Sequence, residues 1–182
     1  MKKRVKLLTT IASLCLAVAL MAFGVYAATS LQGKVSSTLT FTSSEIDGTW
    51  TLVSTSGAAE SKTGVTLTKD ATEVALNYSK DTPTASYTIT FENTGNVNTA
   101  YVYLDWTAPT NAAFAATATQ KVGEDEAAAY TKNSKVDVAK GETVTFVVTL
   151  TLTYDSLSND NKVNGFTDSF SISGEALATA RA

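Results

Sequence analysis

The sequence contains no histidine, and its one cysteine, Cys15, lies in an apolar stretch near the N-terminus. Without an imidazole there is no His-Glu-x-x-His zinc site, and no Ser-His-Asp or Cys-His nucleophile system, since each needs that ring as ligand or base. Neither Gly-x-Gly-x-x-Gly nor Gly-x-x-x-x-Gly-Lys-Ser/Thr occurs, so the loops that cradle phosphates at a helix N-terminus are missing too. A single cysteine offers no disulfide framework, which leaves burial of apolar surface as the source of stability. No metal and no cofactor is implied.

What is present begins with Met1-Lys2-Lys3-Arg4 and Lys6, followed by an apolar run over residues 7–23 and then Val25-Tyr26-Ala27-Ala28. A basic start, an apolar middle and small residues at a cut make a secretory signal peptide, and the expected cleavage lies between Ala27 and Ala28. Residues 7–28 are also long enough for an uncleaved anchor, for which about 20 residues suffice, but an anchor needs no Ala-x-Ala-like end. Cys15 follows Leu14 rather than a small residue, which argues against lipidation. Residues 28–182 then form one domain, of a size that buries roughly 68–70% of its unfolded surface. The membrane enters only through the signal segment.

Loss of Lys2, Lys3, Arg4 and Lys6 leaves 10 of the 14 Lys+Arg against all 17 Asp+Glu, a net charge near −7. Such a surface disfavours nucleic acid and anionic lipid as main partners, because both reward a basic face. It suits a secreted protein, extracellular or at the cell surface.

Threonine clusters with Val, Phe, Tyr and Ile in alternating runs, the composition of a pleated, half-buried surface. In residues 143–154, Val144, Phe146, Val148, Leu150, Leu152 and Tyr154 share one face, while Thr143, Thr145, Thr149, Thr151 and Thr153 take most of the other. The same pattern recurs at Val35, Leu39 and Phe41; Trp50 and Leu52; Val65 and Leu67; and Val74, Leu76 and Tyr78. It continues at Tyr87, Ile89 and Phe91; Val102, Leu104 and Trp106; Val136 and Val138; and Phe166, Phe170 and Ile172. Turn signals such as Asp47-Gly48, Asn93-Thr94-Gly95-Asn96, Lys140-Gly141 and Asn164-Gly165 separate them. About nine strands with one face in and one face out predict an all-β chain, a single antiparallel β-sandwich of jelly-roll or immunoglobulin-like topology. Residues 111–129 are alanine-rich and acidic; they read as a long loop, with a short helix through 124–130.

Three weaker features remain. Asp155, Asp160 and Asp168 surround a loop that could offer oxygens to calcium, but the EF-hand spacing and its closing glutamate are missing, so a solvated turn is expected. The 17 acids offer carboxylate pairs of the kind used in glycoside hydrolysis, although surface acids that confer solubility are the commoner case. Tyr101 and Tyr103 alternate with Val102, Leu104 and Trp106, which places them on the opposite face of their strand as candidate surface contacts.

The lysine-rich signal ending in Gly24-Val25-Tyr26-Ala27, the Asn93-Thr94-Gly95-Asn96 turn between two strands, and Gly141-Glu142-Thr143-Val144 opening a long Thr-rich strand give the chain a layout that resembles the TasA/camelysin group of secreted Gram-positive proteins. The resemblance spans most of the chain. It implies a β-sandwich, a dedicated signal peptidase and, for some members, assembly into biofilm-matrix fibres in which an N-terminal segment completes the next subunit's sheet. Here Ala28-Thr29-Ser30 stands where that group usually carries an aromatic pair followed by Ser and Asp. The metalloprotease label sometimes attached to camelysins finds no histidine ligand.

Two functional readings follow. In one, the chain is a non-enzymatic structural subunit of a biofilm matrix or surface fibre that self-associates by β-strand addition, with Val35, Leu39 and Phe41 as the candidate assembly strand. In the other, it is a monomeric extracellular module that recognises a carbohydrate or a surface protein through loops 108–130 and Tyr101 and Tyr103. For either reading, N-terminal sequencing of exported protein is expected to start at Ala28. Recovery of Met1 on membrane-bound material would instead identify an anchor.

Overall fold

The computed structural model describes residues 34–181, so the predicted signal peptide and the Ala27/Ala28 junction lie outside the described residues. The chain is almost entirely β. The first six strands are β1 (Lys34–Ser44), β2 (Gly48–Gly57), β3 (Thr63–Leu67), β4 (Thr72–Leu76), β5 (Thr84–Asn93) and β6 (Thr99–Thr107). They are followed by β7 (Phe114–Val122), β8 (Ala128–Ala129), β9 (Val136–Ala139), β10 (Thr143–Leu152) and β11 (Thr167–Leu177). A 3-10 turn, Tyr154–Ser156, and one short helix, α1 (Asn159–Asn164), separate β10 from β11.

Two sheets result, one of five strands in the order β4-β1-β11-β6-β9 and one of six in the order β3-β2-β5-β10-β7-β8. They share one hydrophobic core, an arrangement compatible with a β-sandwich. The alternation read from the sequence is realised on both inner faces. Val35, Leu39 and Phe41 of β1 meet Phe170 and Ile172 of β11 on one side, and Tyr87, Ile89, Phe91, Val144, Phe146 and Val148 line the other, all buried.

Side chains tie the layers together. Phe41 packs against Trp50 at 4.7 Å between ring centroids, and Trp50 against Phe91 at 5.0 Å, while the Trp50 indole donates to the Thr42 carbonyl at 3.1 Å. Tyr87 Oη donates to Ser37 Oγ, which donates to the Val74 carbonyl; Tyr78 Oη donates to the Leu150 carbonyl. Each phenol carries a large apolar body and satisfies its one polar atom across the core. Burial pushes the Tyr87 hydroxyl up to about 12, against the smaller opposite effect of Ser37, and pushes Tyr78 up further.

Three expectations are corrected. There are eleven strands rather than nine, and both additions fall in residues 111–129, the segment read as a loop with a helix at 124–130. β7 pairs with β10 along its whole length, Phe114 opposite Leu152 and Val122 opposite Val144. Its inward positions Ala116 and Ala118 are small, so the period of two is hidden in a run of alanine and threonine. β8 and Tyr130 replace the helix, with Tyr130 accepting a hydrogen bond from the Leu104 amide at 2.8 Å and packing on Phe146.

The pairing is also not antiparallel throughout: β1 runs parallel to β11, from Lys34 opposite Thr167 to Ser44 opposite Leu177. Side chains alternate identically in the two kinds of ladder, so periodicity carries no information about strand direction. A parallel neighbour requires a long connection, and here almost the entire domain intervenes. Third, the alternating run at 143–154 ends as a strand at Leu152, and Tyr154 opens the 3-10 turn.

Gly174 shows how closely the layers meet. The β1–β11 register places it beside Phe41, and a Cβ there would lie 2.4 Å from Phe41 Cδ1 and 2.9 Å from Trp50 Cη2. Gly174→Ala is therefore expected to cost about 1–3 kcal/mol through overpacking. Urea denaturation measures it, and an unchanged midpoint would show that the two rings are free to move aside.

Candidate functional site

The outer face of the five-stranded sheet gathers most of the polar chemistry singled out in the sequence. Pairing of β11 with β6 sets Glu175 opposite Tyr103, Ser173 opposite Asp105 and Leu177 opposite Tyr101. On the other side of β11, Thr40 and Thr42 of β1 stand beside Ser173 and Glu175. A depression of about 370 Å³ lies over these rows, with Lys69, Asn133 and Arg181 at its margins.

Tyr101 and Tyr103 do project from this face, but they are not equally available. Tyr103 is only 5% exposed, because the chain end folds back over it. The Arg181 guanidinium sits 4.2 Å from its ring centroid, and the Arg181 amide donates to its hydroxyl at 2.9 Å. This corrects the reading of Tyr103 as a surface contact, since the ring face that would stack on a sugar is occupied by a cation. Tyr101 is half-buried, with Lys135 Nζ 5.2 Å from its ring centre. No sequence period points to Arg181, which comes from beyond the last strand.

The charges here are mutually engaged. Arg181 also donates to Glu175 at 2.5 Å and to Asn133 Oδ1 at 3.3 Å. Asp105 lies 3.0 Å from Lys132 Nζ and accepts from Asn133 Nδ2 at 3.0 Å. Partial burial pushes the Asp105 carboxyl upward, but Lys132, Asn133 and the Trp106 amide outweigh it and hold the group below the usual carboxylate range. Asn133 reaches both charges from a turn where its own φ is 61°, a conformation that asparagine tolerates better than most residues.

A second polar cluster centres on Asp168, one of the three aspartates considered for calcium. It accepts from the amides of Asn111 at 2.9 Å, Thr110 at 3.1 Å and Ser169 at 2.8 Å, and from the Thr110 hydroxyl at 3.2 Å. Its carboxylate thereby pins the β6–β7 connection to the start of β11. Asp155 lies in the 3-10 turn and Asp160 in the first turn of α1. Among the described residues no group of three acidic, histidine or cysteine side chains is placed to hold a metal ion. A general acid for glycoside hydrolysis needs a raised carboxyl, whereas Asp105 and Asp168 are both held low.

The candidate assembly strand is in the interior of its own sheet. Val35, Leu39 and Phe41 are at most 3% exposed, and β1 is hydrogen-bonded to β4 on one side and β11 on the other. Its link to β2 is the three residues Glu45, Ile46 and Asp47, with Glu45 at φ 61°. Asn96 braces this link, its Oδ1 accepting from the Asp47 amide and its Nδ2 donating to the Glu45 carbonyl. The Asn93-Thr94-Gly95-Asn96 segment is thus a structural junction. Asn93 is fully buried and donates to the Val138 carbonyl at 3.0 Å.

No family model matches the chain, and no curated protein does. Among solved structures, iron(II) HppE is similar at 9% identity and a TM-score of 0.20, over 42% of this chain and 48% of that one. AvmM, which catalyses macrocyclization in alchivemycin A biosynthesis, is 11% identical with a TM-score of 0.24, over 54% and 82% of the two chains. The major pilin protein T-13 of Streptococcus pyogenes is 13% identical with a TM-score of 0.20, over 79% of this chain and 45% of the pilin. The chain spans about half the length of the HppE structure it matches.

Asp168 supplies a pH test. Partial burial works against its charge, but the amides of Asn111, Thr110 and Ser169 and the Thr110 hydroxyl prevail, so its folded pKa lies below the unfolded one. Such a carboxylate contributes stability above its unfolded pKa of about 3.9, and the contribution fades as pH falls through the lower, folded value. Asp168→Asn is expected to lower the melting temperature at pH 7, with the difference from wild type shrinking below about pH 4. An offset independent of pH would show that the charge of Asp168 is irrelevant to the pinning.

Proposed function

We propose that the chain is exported and serves as a non-enzymatic structural subunit of an extracellular matrix or cell-surface fibre, assembled by passing β1 from one copy to the next. The observation that supports this reading is the placement of β1. It is the first strand of the described chain, lies between β4 and β11, and joins the remainder through three residues that include Glu45 in the left-handed region. Delivered to a neighbouring copy, β1 makes the same hydrogen bonds and the same burial of Val35, Leu39 and Phe41, so exchange gives up only the bonds that Asn96 and Thr94 make to the link. It also lets Glu45 leave a conformation that costs a non-glycine residue roughly 1–3 kcal/mol.

An open chain of such exchanges gives a fibre rather than a closed pair, because each copy donates and accepts through different surfaces. Removal of the segment before Ala28 is the natural trigger, since it frees the upstream end of β1. The absence of histidine removes imidazole-based catalysis, which fits a structural subunit.

The second reading is a binding module that takes a carbohydrate or surface protein over the five-stranded sheet. The depression lined by Tyr103, Asp105, Asn133 and Arg181 favours it, provided that Arg181 swings off the tyrosine ring.

Electron microscopy of the chain lacking residues 1–27 is expected to show fibres. Deletion of residues 28–44 is expected to abolish them and leave a protein that captures a peptide of those residues. Each of Val35, Leu39 and Phe41 contributes about 1.5–3 kcal/mol to that capture when fully buried. A chain that stays monomeric at high concentration, with a deletion form that does not take up the peptide, would refute strand exchange.

A further inference from the structure

The two sheets differ sharply in charge. The six-stranded sheet contains only two charged residues, Glu92 and Lys121. Lys121 ends the row Thr66, Thr51, Thr90, Thr145, Lys121, and Glu92 lies at the end of β5, so both sit at the rim of the outer face. The opposite face of the molecule carries the ion pairs Lys132–Asp105, Lys135–Asp137 and Arg181–Glu175.

The centre of the uncharged face is a lattice of hydroxyls and methyls. Registers set Thr51 beside Thr90 and Thr90 beside Thr145, with Thr88 beside Val147 in the next row. A bulge in β2 between Leu52 and Ser54 leaves Val53 outside at 41% exposure, the exposed large hydrophobic residue among those described. Threonine loses little side-chain entropy on being covered, and each one offers a methyl together with a hydroxyl that both donates and accepts.

We infer that this face binds the same face of a second copy of the chain. Charge favours this contact. With 10 basic against 17 acidic residues over positions 28–182, copies repel one another, and the approach that costs least is through the one broad face whose strands carry charge only at the rim, at Glu92 and at Lys121 with its partner Glu124. The cores of protein interfaces are likewise depleted in charged residues. Size is adequate too, because four long strands about 4.8 Å apart and about ten residues long span on the order of 600 Å². That approaches the roughly 800 Å² that each partner contributes to a standard interface. A face meeting its own image forms a closed, two-fold pair, with hydroxyls answering hydroxyls and Val53 and Val147 covered. This contact is independent of strand exchange and uses a different surface; in a fibre of exchanged subunits it joins neighbouring fibres side by side.

Single-cysteine variants test it, since residues 28–182 contain no cysteine. In the chain lacking residues 1–27, which keeps all of the described residues, Thr88→Cys lies at the centre of the uncharged face and Ser171→Cys on the outer face of the other sheet. A bismaleimide is expected to convert Thr88→Cys to a covalent dimer at least tenfold faster than Ser171→Cys. A Thr90→Glu/Thr149→Glu variant is expected to weaken self-association at least tenfold in sedimentation equilibrium, with an unchanged circular dichroism spectrum. Equal cross-linking of both cysteines, or undiminished association of the glutamate variant, overturns the inference. Fibres that form without Thr88→Cys cross-linking would overturn it while leaving strand exchange standing, and no association at any concentration would overturn both.

Discussion

The parallel pairing of β1 with β11 joins the two ends of the described chain, and most of the five-stranded sheet is arranged around it. β1 is the partner of β4, and β11 is the partner of β6, which in turn holds β9. Without this ladder the sheet divides into two pieces with no backbone bond between them. The inner face of the pair carries Phe41 against Gly174, and the ring space made by the missing Cβ is what allows Trp50 of the other sheet to settle there. Sheet continuity and layer packing therefore depend on the same strands.

That dependence has a functional side. In the strand-exchange reading proposed above, β1 is indispensable to its sheet, is the first of the described strands and sits on a short link with Glu45 in the left-handed region. Such a strand supplies the same hydrogen bonds from any source. The buried phenols Tyr78, Tyr87 and Tyr130 serve the complementary purpose of holding the two layers in one relation, each with its hydroxyl bonded across the core.

Charge is distributed in keeping with this. Acids and bases are concentrated on the outside of the five-stranded sheet and in the loops, where they pair with one another, and the six-stranded sheet shows solvent a nearly neutral field of threonines. Threonine satisfies two demands at once on such a face. Its branched Cβ favours the pleated strand, and its hydroxyl keeps the surface wettable until something covers it.

The nine strands expected from alternation are all present because a period of two in Val, Phe, Tyr and Leu against Thr is a local property, written wherever one face is buried and the other wet. Where the inward residues are alanines, as in β7, the contrast vanishes and the strand is invisible until β10 is seen beside it. The direction of β1 relative to β11 has no local signature, since it depends on how a long intervening chain returns. The same holds for Tyr103. Alternation along its strand turns a tyrosine away from the core, but it is the folded chain that brings Arg181, 78 residues later, over the ring. Alternation along a strand is set by bonds between adjacent residues, whereas burial is set by whatever the rest of the chain brings to that face.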